Sequence, residues 1–242
     1  MNTPLGSPGA GLRSVAAHAD AYDQGLRRYL LGIYRTMAMG LGVTGIVALI
    51  VASTPGLYQP IFNTPVKWLV ILSPLAFVLF FSFRVEHMSV ATARISFYAF
   101  SAVMGLSLAS IFLVFTGYSI AQVFLITSIA FAGLSLWGYT TKKDISGWGS
   151  FLIMGVIGLI VASIVNIFLQ SSGMQFAISA LGVLIFAGLT AYDTQNIKNT
   201  YLRLAGSDQD FLGKSAIMGA LQLYLDFLNL FMFLLQFMGG RE

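Results

Sequence analysis

Residues 176–198 read FAISALGVLIFAGLTAYDTQNIK, and this stretch decides the fold class. Its first sixteen residues are all apolar or small, and the carboxylate of Asp193 follows inside the expected membrane boundary. A second acid, Asp226, lies in the last apolar segment of the chain, where residues 223–231 read LYLDFLNLF. Because an ionisable side chain inside a membrane span is energetically costly, each of these acids marks a candidate functional site.

Charged residues are too few for a soluble protein. The chain has 242 residues, of which 57% are hydrophobic and 9% charged, and its mean hydropathy is +0.82. Soluble domains carry about 25% charged residues, so we predict an all-α membrane protein of the lipid bilayer without a separate soluble domain. Cysteine is absent, which excludes disulfides and thiolate metal sites. The net charge of +4 is spread between apolar runs, so no nucleic-acid partner is expected.

Seven segments are long and apolar enough to cross a membrane as helices, which takes about 20 residues each. Residues 1–30 are predicted to form a partly disordered tail with a short surface helix from about Ala17, and residues 239–242 to form a second tail. The first segment resembles a signal peptide, but it is long enough to span, so it is predicted to be retained. The seven segments are residues 31–53, 67–84, 94–116, 119–140, 150–170, 174–196 and 216–238.

The thirteen Lys and Arg residues predict the orientation of these spans. With seven spans, two of them, Lys67 and Arg241, lie on one side of the membrane and eleven on the other. Since cytoplasmic loops carry the excess of basic residues, we expect a multi-pass protein of the cell (inner) membrane with a cytoplasmic N-terminus and an external C-terminus. The eleven residues are Arg13, Arg27, Arg28, Arg35, Arg84, Arg94, Lys142, Lys143, Lys198, Arg203 and Lys214.

Polar residues recur at helical spacing around each acid. Residues three, four or seven apart lie on one face of a helix, and a polar face in hydrocarbon must contact protein or water rather than lipid. We therefore predict that the two acids face each other or a shared cavity. The face in the sixth span carries Thr190, Asp193 and Asn196, and the face in the seventh carries Gln222, Asp226, Asn229 and Gln236.

Spacing leaves two interpretations of the acids open. In the first, the two carboxyls are adjacent and share one proton, because both cannot ionise cheaply; such a pair could respond to pH or bind a calcium ion transiently through its oxygens. In the second, each aspartate is a structural brace that hydrogen-bonds a neighbouring helix or pairs with Lys198 or Arg84. Arg84 ends the second span on the same side as both acids, so it could latch the pair or snorkel to lipid headgroups.

Other chemistries lack the residues that they need. Residues 216–238 contain no lysine for retinal, no His-Glu-x-x-His zinc motif occurs, no histidine lies in a span for a serine mechanism, and no glycine-rich phosphate loop follows a strand. An intramembrane aspartyl protease uses two aspartates on neighbouring helices, but its second motif is Gly-x-Gly-Asp, whereas Leu-Tyr-Leu precedes Asp226. We therefore expect neither enzymatic activity nor a small-molecule cofactor.

Five motifs together carry a resemblance. They read AYDTQNIK at 191–198, LYLDFLNLF at 223–231, GYTTKKD at 138–144, WGSFLIMG at 148–155 and GVLIFAG at 182–188. This set resembles the bacterial branch of the Bax inhibitor-1 family over about residues 84–236. The resemblance implies a bundle of seven helices in which the last helix is surrounded by the other six.

The resemblance also implies a pH-sensitive calcium leak channel. In such a channel the pair matching Asp193 and Asp226 senses protons, and an arginine of the second helix, matched by Arg84, latches the pair. Some relatives carry an acid within that helix, which residues 67–83 lack. Calcium ions and protons are then the expected partners besides lipid. Two alternatives stay open: a proton-coupled transporter of a small solute, and a non-transporting factor that binds and regulates another membrane protein.

Overall fold

Helices account for nearly all of the described residues. The structure, a computed structural model, describes the backbone of residues 8–204, 206 and 208–240, and the side chains from residue 23 onward within these ranges. Short 3-10 turns at Val85–His87 and Ala109–Leu113 follow the third and fourth helices. The helices are α1 (Pro8–Ser53), α2 (Pro55–Phe62), α3 (Val66–Arg84), α4 (Val90–Leu108), α5 (Gly117–Thr140), α6 (Trp148–Leu169), α7 (Ser172–Leu204) and α8 (Gln209–Met238).

Seven of the described helices are long and apolar enough to cross a membrane, which confirms the predicted all-α fold class. The exception is α2, a helix of eight residues within the first connection. The first span does end at Ser53, as the prolines that follow it predict. Pro55 then occupies the first position of α2, where its missing N–H is not needed.

The last two helices extend well beyond the predicted spans. Helix α7 continues to Leu204 rather than ending at residue 196, and α8 begins at Gln209 rather than at residue 216. The predicted polar loop at 197–215 is therefore mostly helix. Hydropathy indicates where a helix leaves the hydrocarbon, whereas Lys, Arg, Gln and Leu remain good helix formers in water. Hydropathy therefore does not predict where a helix ends once it continues beyond the hydrocarbon.

The N-terminal region differs from its prediction in the same way. Helix α1 begins at Pro8 and runs unbroken to Ser53, so residues 8–30 are helical rather than a partly disordered tail with a separate surface helix. No proline follows Pro8 before residue 55, and proline itself is favoured at the first helical position. The part of α1 suited to the membrane is Asp23–Ser53. Residues 1–7 of the predicted tail lie outside the described residues.

Successive spans alternate in direction, so their ends gather at two faces of the bundle. We call the face where α3, α5 and α7 end, and where α4, α6 and α8 begin, the basic end, because most Lys and Arg residues belong to it. There the hydroxyls of Tyr29 and Ser215 lie 3.0 Å apart. At the opposite end, Gln175 Nε2 donates to Gln236 Oε1 at 2.7 Å, which joins α7 to α8.

Helix α8 lies at the centre of the bundle. In its most apolar window 61% of the residues are buried, against at most 33% in any other span. It packs on α1, α4, α5 and α7, while α3 packs mainly on α4 and α6 mainly on α7. A helix that is apolar on all sides is suited to such a position. Asp226, the acid within the apolar part of α8, is consequently enclosed by protein.

A network of hydroxyls joins α8 to α1 and α4. Tyr224 is fully buried, and its hydroxyl hydrogen-bonds Thr44 of α1. Thr44 Oγ1 also lies 3.0 Å from the Gly40 carbonyl and 2.9 Å from the Ser101 carbonyl, either of which can accept its single hydrogen. The close approach needs Gly105 of α4, because a Cβ there would lie 2.5 Å from the Thr44 carbonyl oxygen.

Replacing Tyr224 by phenylalanine is expected to lower the stability of the bundle modestly. The ring keeps its packing against Phe97 and Phe100, and Thr44 keeps its backbone acceptors, so the loss is about 0.5–1.5 kcal/mol for one neutral hydrogen bond. Thermal unfolding of the purified protein in detergent measures it. Unchanged stability would mean that the hydroxyl contact adds nothing beyond ring packing.

Candidate functional site

The structure brings the two predicted acids together. Asp193 of α7 and Asp226 of α8 have their carboxyl groups in hydrogen-bonding contact. Their side chains are 3% and 5% exposed. They meet where the two most extensively paired helices of the bundle pack against each other. The pair is therefore enclosed by protein rather than facing lipid.

The contact between the two carboxyls requires a proton. Ionised carboxylates only accept hydrogen bonds, so one carboxyl must be protonated to donate to the other. Gln222 Nε2 donates to Asp193 Oδ1 at 2.8 Å. Asp226 Oδ2 is buried and has no donor among the described residues. The arrangement thus favours Asp193 as the acceptor and Asp226 as the carboxyl that carries the shared hydrogen.

Close backbone packing holds α7 in place beside the pair. Gly138 of α5 lies directly against the backbone of Ala191, two residues before Asp193, and a Cβ at Gly138 would collide with the Ala191 carbonyl. On α8, a Cβ at Gly219 would lie 3.2 Å from Ile33 and 3.3 Å from Ile197, closer than an ordinary van der Waals contact. Small residues allow helix backbones to approach closely in membranes. These contacts set the position of α7 relative to both α5 and α8.

A polar cavity of about 170 Å³ lies between Gln222 and residues of the basic end such as Tyr29 and Ser215. Gln222 is exposed in it although its amide reaches the buried Asp193. The amide therefore bridges the cavity and the carboxyl pair. We call this space the α1–α7–α8 cavity; its lining residues are Tyr29, Asn196, Ile197, Thr200, Ser215, Met218, Gly219 and Gln222.

The other predicted polar residues do not donate to the carboxyls. Thr190 Oγ1 donates to the Phe186 carbonyl at 2.8 Å, and Asn229 Nδ2 donates to the Leu225 carbonyl at 2.8 Å, both within their own helices. Asn196 lines the α1–α7–α8 cavity instead. Of the predicted supporting residues, Gln222 is therefore the one that hydrogen-bonds an acid.

The two basic residues considered as partners are both elsewhere. Lys198 Nζ donates to the Tyr139 carbonyl at 2.7 Å and lies 5.2 Å from the centre of the Tyr139 ring, so it does not form the predicted alternative pair with Asp193. Arg84 is exposed at the end of α3, and its guanidinium makes no hydrogen bond or ion pair with any described residue. The latch contact is absent from this conformation. An exposed guanidinium at a helix end is the geometry of a snorkelling side chain.

Sequence reasoning missed Gln195, which anchors the loop between α5 and α6. Its Oε1 accepts from Ile145 N at 2.9 Å, and its Nε2 donates to the Lys143 carbonyl at 2.8 Å. The Ser146 hydroxyl and N–H lower the pKa of Asp144 in the same loop. Gln195 lies on α7 two residues after Asp193, so it ties this loop to the helix that carries the first acid. In the sequence, Gln195 is one of several polar residues near the end of a span, and no pattern distinguishes it as an anchor of the loop.

Replacing Gln195 by alanine is expected to loosen that loop. Two backbone groups lose their partner, which costs about 1–3 kcal/mol where the groups stay buried. Tryptic cleavage after the exposed Lys142 and Lys143 should then become faster. Asn199→Ala, one turn further along α7, is the matched control because the Asn199 side chain makes no hydrogen bond with a described residue. Equal cleavage rates for both variants would contradict the anchoring role.

Two carboxyls are the largest set of metal-ligating side chains at this site. No group of three or more His, Cys, Asp or Glu residues suited to a metal occurs in the described ranges. A calcium ion prefers six to eight oxygen ligands. Any calcium at the pair would therefore keep most of its water, which suits a passing ion better than a resident one.

Comparison with known proteins adds to this geometry. The family model described as "Inhibitor of apoptosis-promoting Bax1" matches residues 26–242. A protein of Caulobacter vibrioides is 46% identical over 241 residues, covering 95% of this chain and 96% of its own. Inner membrane protein YbhL of Escherichia coli is 41% identical over 219 residues, covering 90% and 94%. A membrane protein of Streptococcus pyogenes serotype M1 is 32% identical over 222 residues, covering 91% and 96%.

Proposed function

This chain belongs to the Bax inhibitor-1 family of multi-pass membrane proteins, and from that premise we propose that it forms a calcium leak pathway gated by the protonation of Asp193 and Asp226. The single observation that carries the proposal is the carboxyl–carboxyl contact between α7 and α8, buried at the centre of the bundle. Loss of one proton removes the hydrogen bond between the two carboxyls and leaves two negative charges in contact.

Loss of the shared proton turns the contact into a repulsion. Two negative charges at hydrogen-bonding distance repel far more strongly inside a protein than in water. Because the acids lie on different helices, the repulsion acts directly on the packing of α7 against α8. The helices then favour a second arrangement, and the balance between the two arrangements sets the conductance. A few kcal/mol of differential free energy is enough to shift such an equilibrium.

Gln222 supports proton exchange with one side of the membrane. It is exposed in the α1–α7–α8 cavity and donates to Asp193, so water in that cavity lies one side chain away from the pair. We place the basic end in the cytoplasm, because eleven of the thirteen Lys and Arg residues belong to it. On this proposal the pair responds to cytoplasmic pH.

Arg84 enters the proposal as a latch in another conformation. It ends α3 at the basic end, the same end at which the cavity opens. Phe81 and Val85 on either side of Arg84 are buried, so the long Arg84 side chain, rather than the end of α3, would have to turn toward the pair. A salt bridge from Arg84 to an ionised carboxyl would then close the pathway at that end.

Reconstituted flux tests the proposal. Purified protein in liposomes should carry calcium down its gradient without saturation by a solute, and the rate should change between about pH 5 and pH 8. Ion substitution with sodium, potassium and magnesium defines the permeant ion. Liposomes without protein, and liposomes with heat-unfolded protein, are the controls. Absence of any cation flux at every pH would contradict the leak pathway.

The two alternatives give different results in the same liposomes. A proton-coupled transporter would dissipate a proton gradient only when its solute is added, and its uptake would saturate. A non-transporting regulatory factor would give no flux. The exposed Gln222 amide in its polar cavity could also hydrogen-bond a small solute. Uptake of candidate solutes should therefore be measured for the wild type and for variants at Gln222.

Replacing Gln222 by alanine is expected to move the pH midpoint of flux without removing the pH dependence. The substitution deletes the donor to Asp193, which favours the protonated pair, so the midpoint should move to higher pH. Asn229→Ala is the matched control on the same helix, since its amide donates only to its own helix. If both variants keep the original midpoint, Gln222 does not act on the pair.

A further inference from the structure

A groove between α1 and α5 lies outside the site described above. Its volume is about 440 Å³, which is within the range of roughly 300–1,000 Å³ typical of small-molecule sites. Leu31 and Leu136 in its walls are 58% and 62% exposed, so it opens sideways to the lipid. The lining residues are Arg27, Leu30, Leu31, Tyr34, Phe131, Ala132, Ser135, Leu136 and Tyr139.

The groove is polar at one end only. Helices α1 and α5 run in opposite directions, so Arg27 and Tyr139 lie at the basic end of the groove and Tyr34 and Phe131 lie deeper. From residue 27 to residue 34 the helix rises roughly 10 Å. A charged mouth followed by an apolar channel of this length matches a lipid headgroup and the first part of its acyl chain.

Positive charge at the mouth has no anionic partner among the described side chains. The Arg27 guanidinium is exposed and forms no ion pair with a described side chain. Lys198, packed over the Tyr139 ring, adds a second positive charge nearby. Basic residues between membrane helices attract anionic headgroups. The charge of the site is therefore complementary to a lipid phosphate that carries a net negative charge.

Ser135 supplies a second observation within the groove. It is 5% exposed, and its hydroxyl has no hydrogen-bond partner in the described chain, not even its own helix backbone. A buried hydroxyl without a partner is costly. An ester carbonyl of a glycerolipid lies just below the phosphate, at the depth where Ser135 stands one helical turn below Tyr139.

We propose that the α1–α5 groove binds one anionic phospholipid, with its phosphate at Arg27, an ester oxygen at Ser135 and an acyl chain along Leu31 and Leu136. This site is separate from the carboxyl pair and does not depend on the proposed flux. The occupant is a whole lipid rather than a free anion, because most of the lining is apolar.

Native mass spectrometry of the full-length protein tests the site, with phosphatidylglycerol or phosphatidylcholine added to the micelles. The wild type should retain one phosphatidylglycerol and little phosphatidylcholine. Arg27→Gln should weaken that retention about fivefold, as expected for one basic residue at a headgroup. Arg28→Gln is the matched control, because Arg28 is also exposed but does not line the groove. Thermal unfolding checks that both variants fold alike.

A second variant tests the acyl chain. Ala132→Trp places a large ring in the groove at an exposed position, so it should abolish retention of phosphatidylglycerol without unfolding the bundle. Inorganic phosphate should neither bind nor compete. The proposal is overturned if both lipids are retained equally, if Arg27→Gln and Arg28→Gln behave alike, or if phosphate alone occupies the site.

Discussion

Asp193→Asn and Asp226→Asn are each expected to abolish the pH dependence of calcium flux. An asparagine amide donates a hydrogen bond as a protonated carboxyl does, and it cannot ionise. Either variant therefore holds the pair in the hydrogen-bonded arrangement at every pH. The flux of each variant at pH 8 should equal the flux of the wild type at low pH, whichever direction the wild-type gating takes.

The control for these variants is an acid outside the pair. Asp210 lies at the basic end on α8, where it pairs with Lys214 at 2.9 Å and is 53% exposed. Asp210→Asn should keep the wild-type pH profile. The double variant Asp193→Asn/Asp226→Asn should resemble the single variants rather than add to them, because the acids act as one titrating unit. If both single variants retain the wild-type profile, the two aspartates are not the sensor.

Gly138→Ala is expected to destabilise the bundle and disturb the pH response together. The new Cβ meets the Ala191 backbone rather than a flexible side chain, so α5 and α7 must separate. Overpacking of this kind costs about 1–3 kcal/mol, and the displaced segment of α7 carries Asp193. Thermal unfolding measures the first effect and the pH profile of flux measures the second.

Gly133→Ala on the same helix separates this collision from the general effect of replacing a helical glycine. Gly133 is exposed, and nothing lies within 4 Å of the position of its Cβ. Alanine is a better helix former than glycine, so stability should stay the same or rise slightly. Equal destabilisation by both substitutions would mean that the α5–α7 contact is not the cause.

The two acids could be predicted as candidate site residues because each is an ionisable residue in an otherwise apolar span. Asp193 and Asp226 are the acids that fall inside apolar segments, and helical periodicity placed each on a polar face. Their contact follows from the packing of α7 on α8, which no local pattern encodes. Gln222 was predicted as a supporting residue, but its role as the bridge between a cavity and Asp193 depends on that same packing.

The partners of the basic residues could not be predicted from sequence patterns. Lys198 follows Asp193 closely in the sequence, and the predicted topology puts Arg84 on the same side of the membrane as both acids. Each was therefore a reasonable partner for a carboxylate. In the structure Lys198 donates to a backbone carbonyl of α5, and Arg84 is exposed. Long flexible side chains can reach several partners, so their choice is decided by geometry within a few ångströms. Periodicity and hydropathy carry no information at that scale.

The sequence by itself determined the class of this protein, because seven long apolar runs can only satisfy their backbone hydrogen bonds in a membrane as helices. It also determined which two acids are costly enough to need a partner. Only the tertiary structure decided that they are each other's partner, that α8 is enclosed and that Gln222 opens toward the basic end. Those facts depend on contacts between residues far apart in the chain, such as Gly138 with Ala191, and helix packing alone creates them.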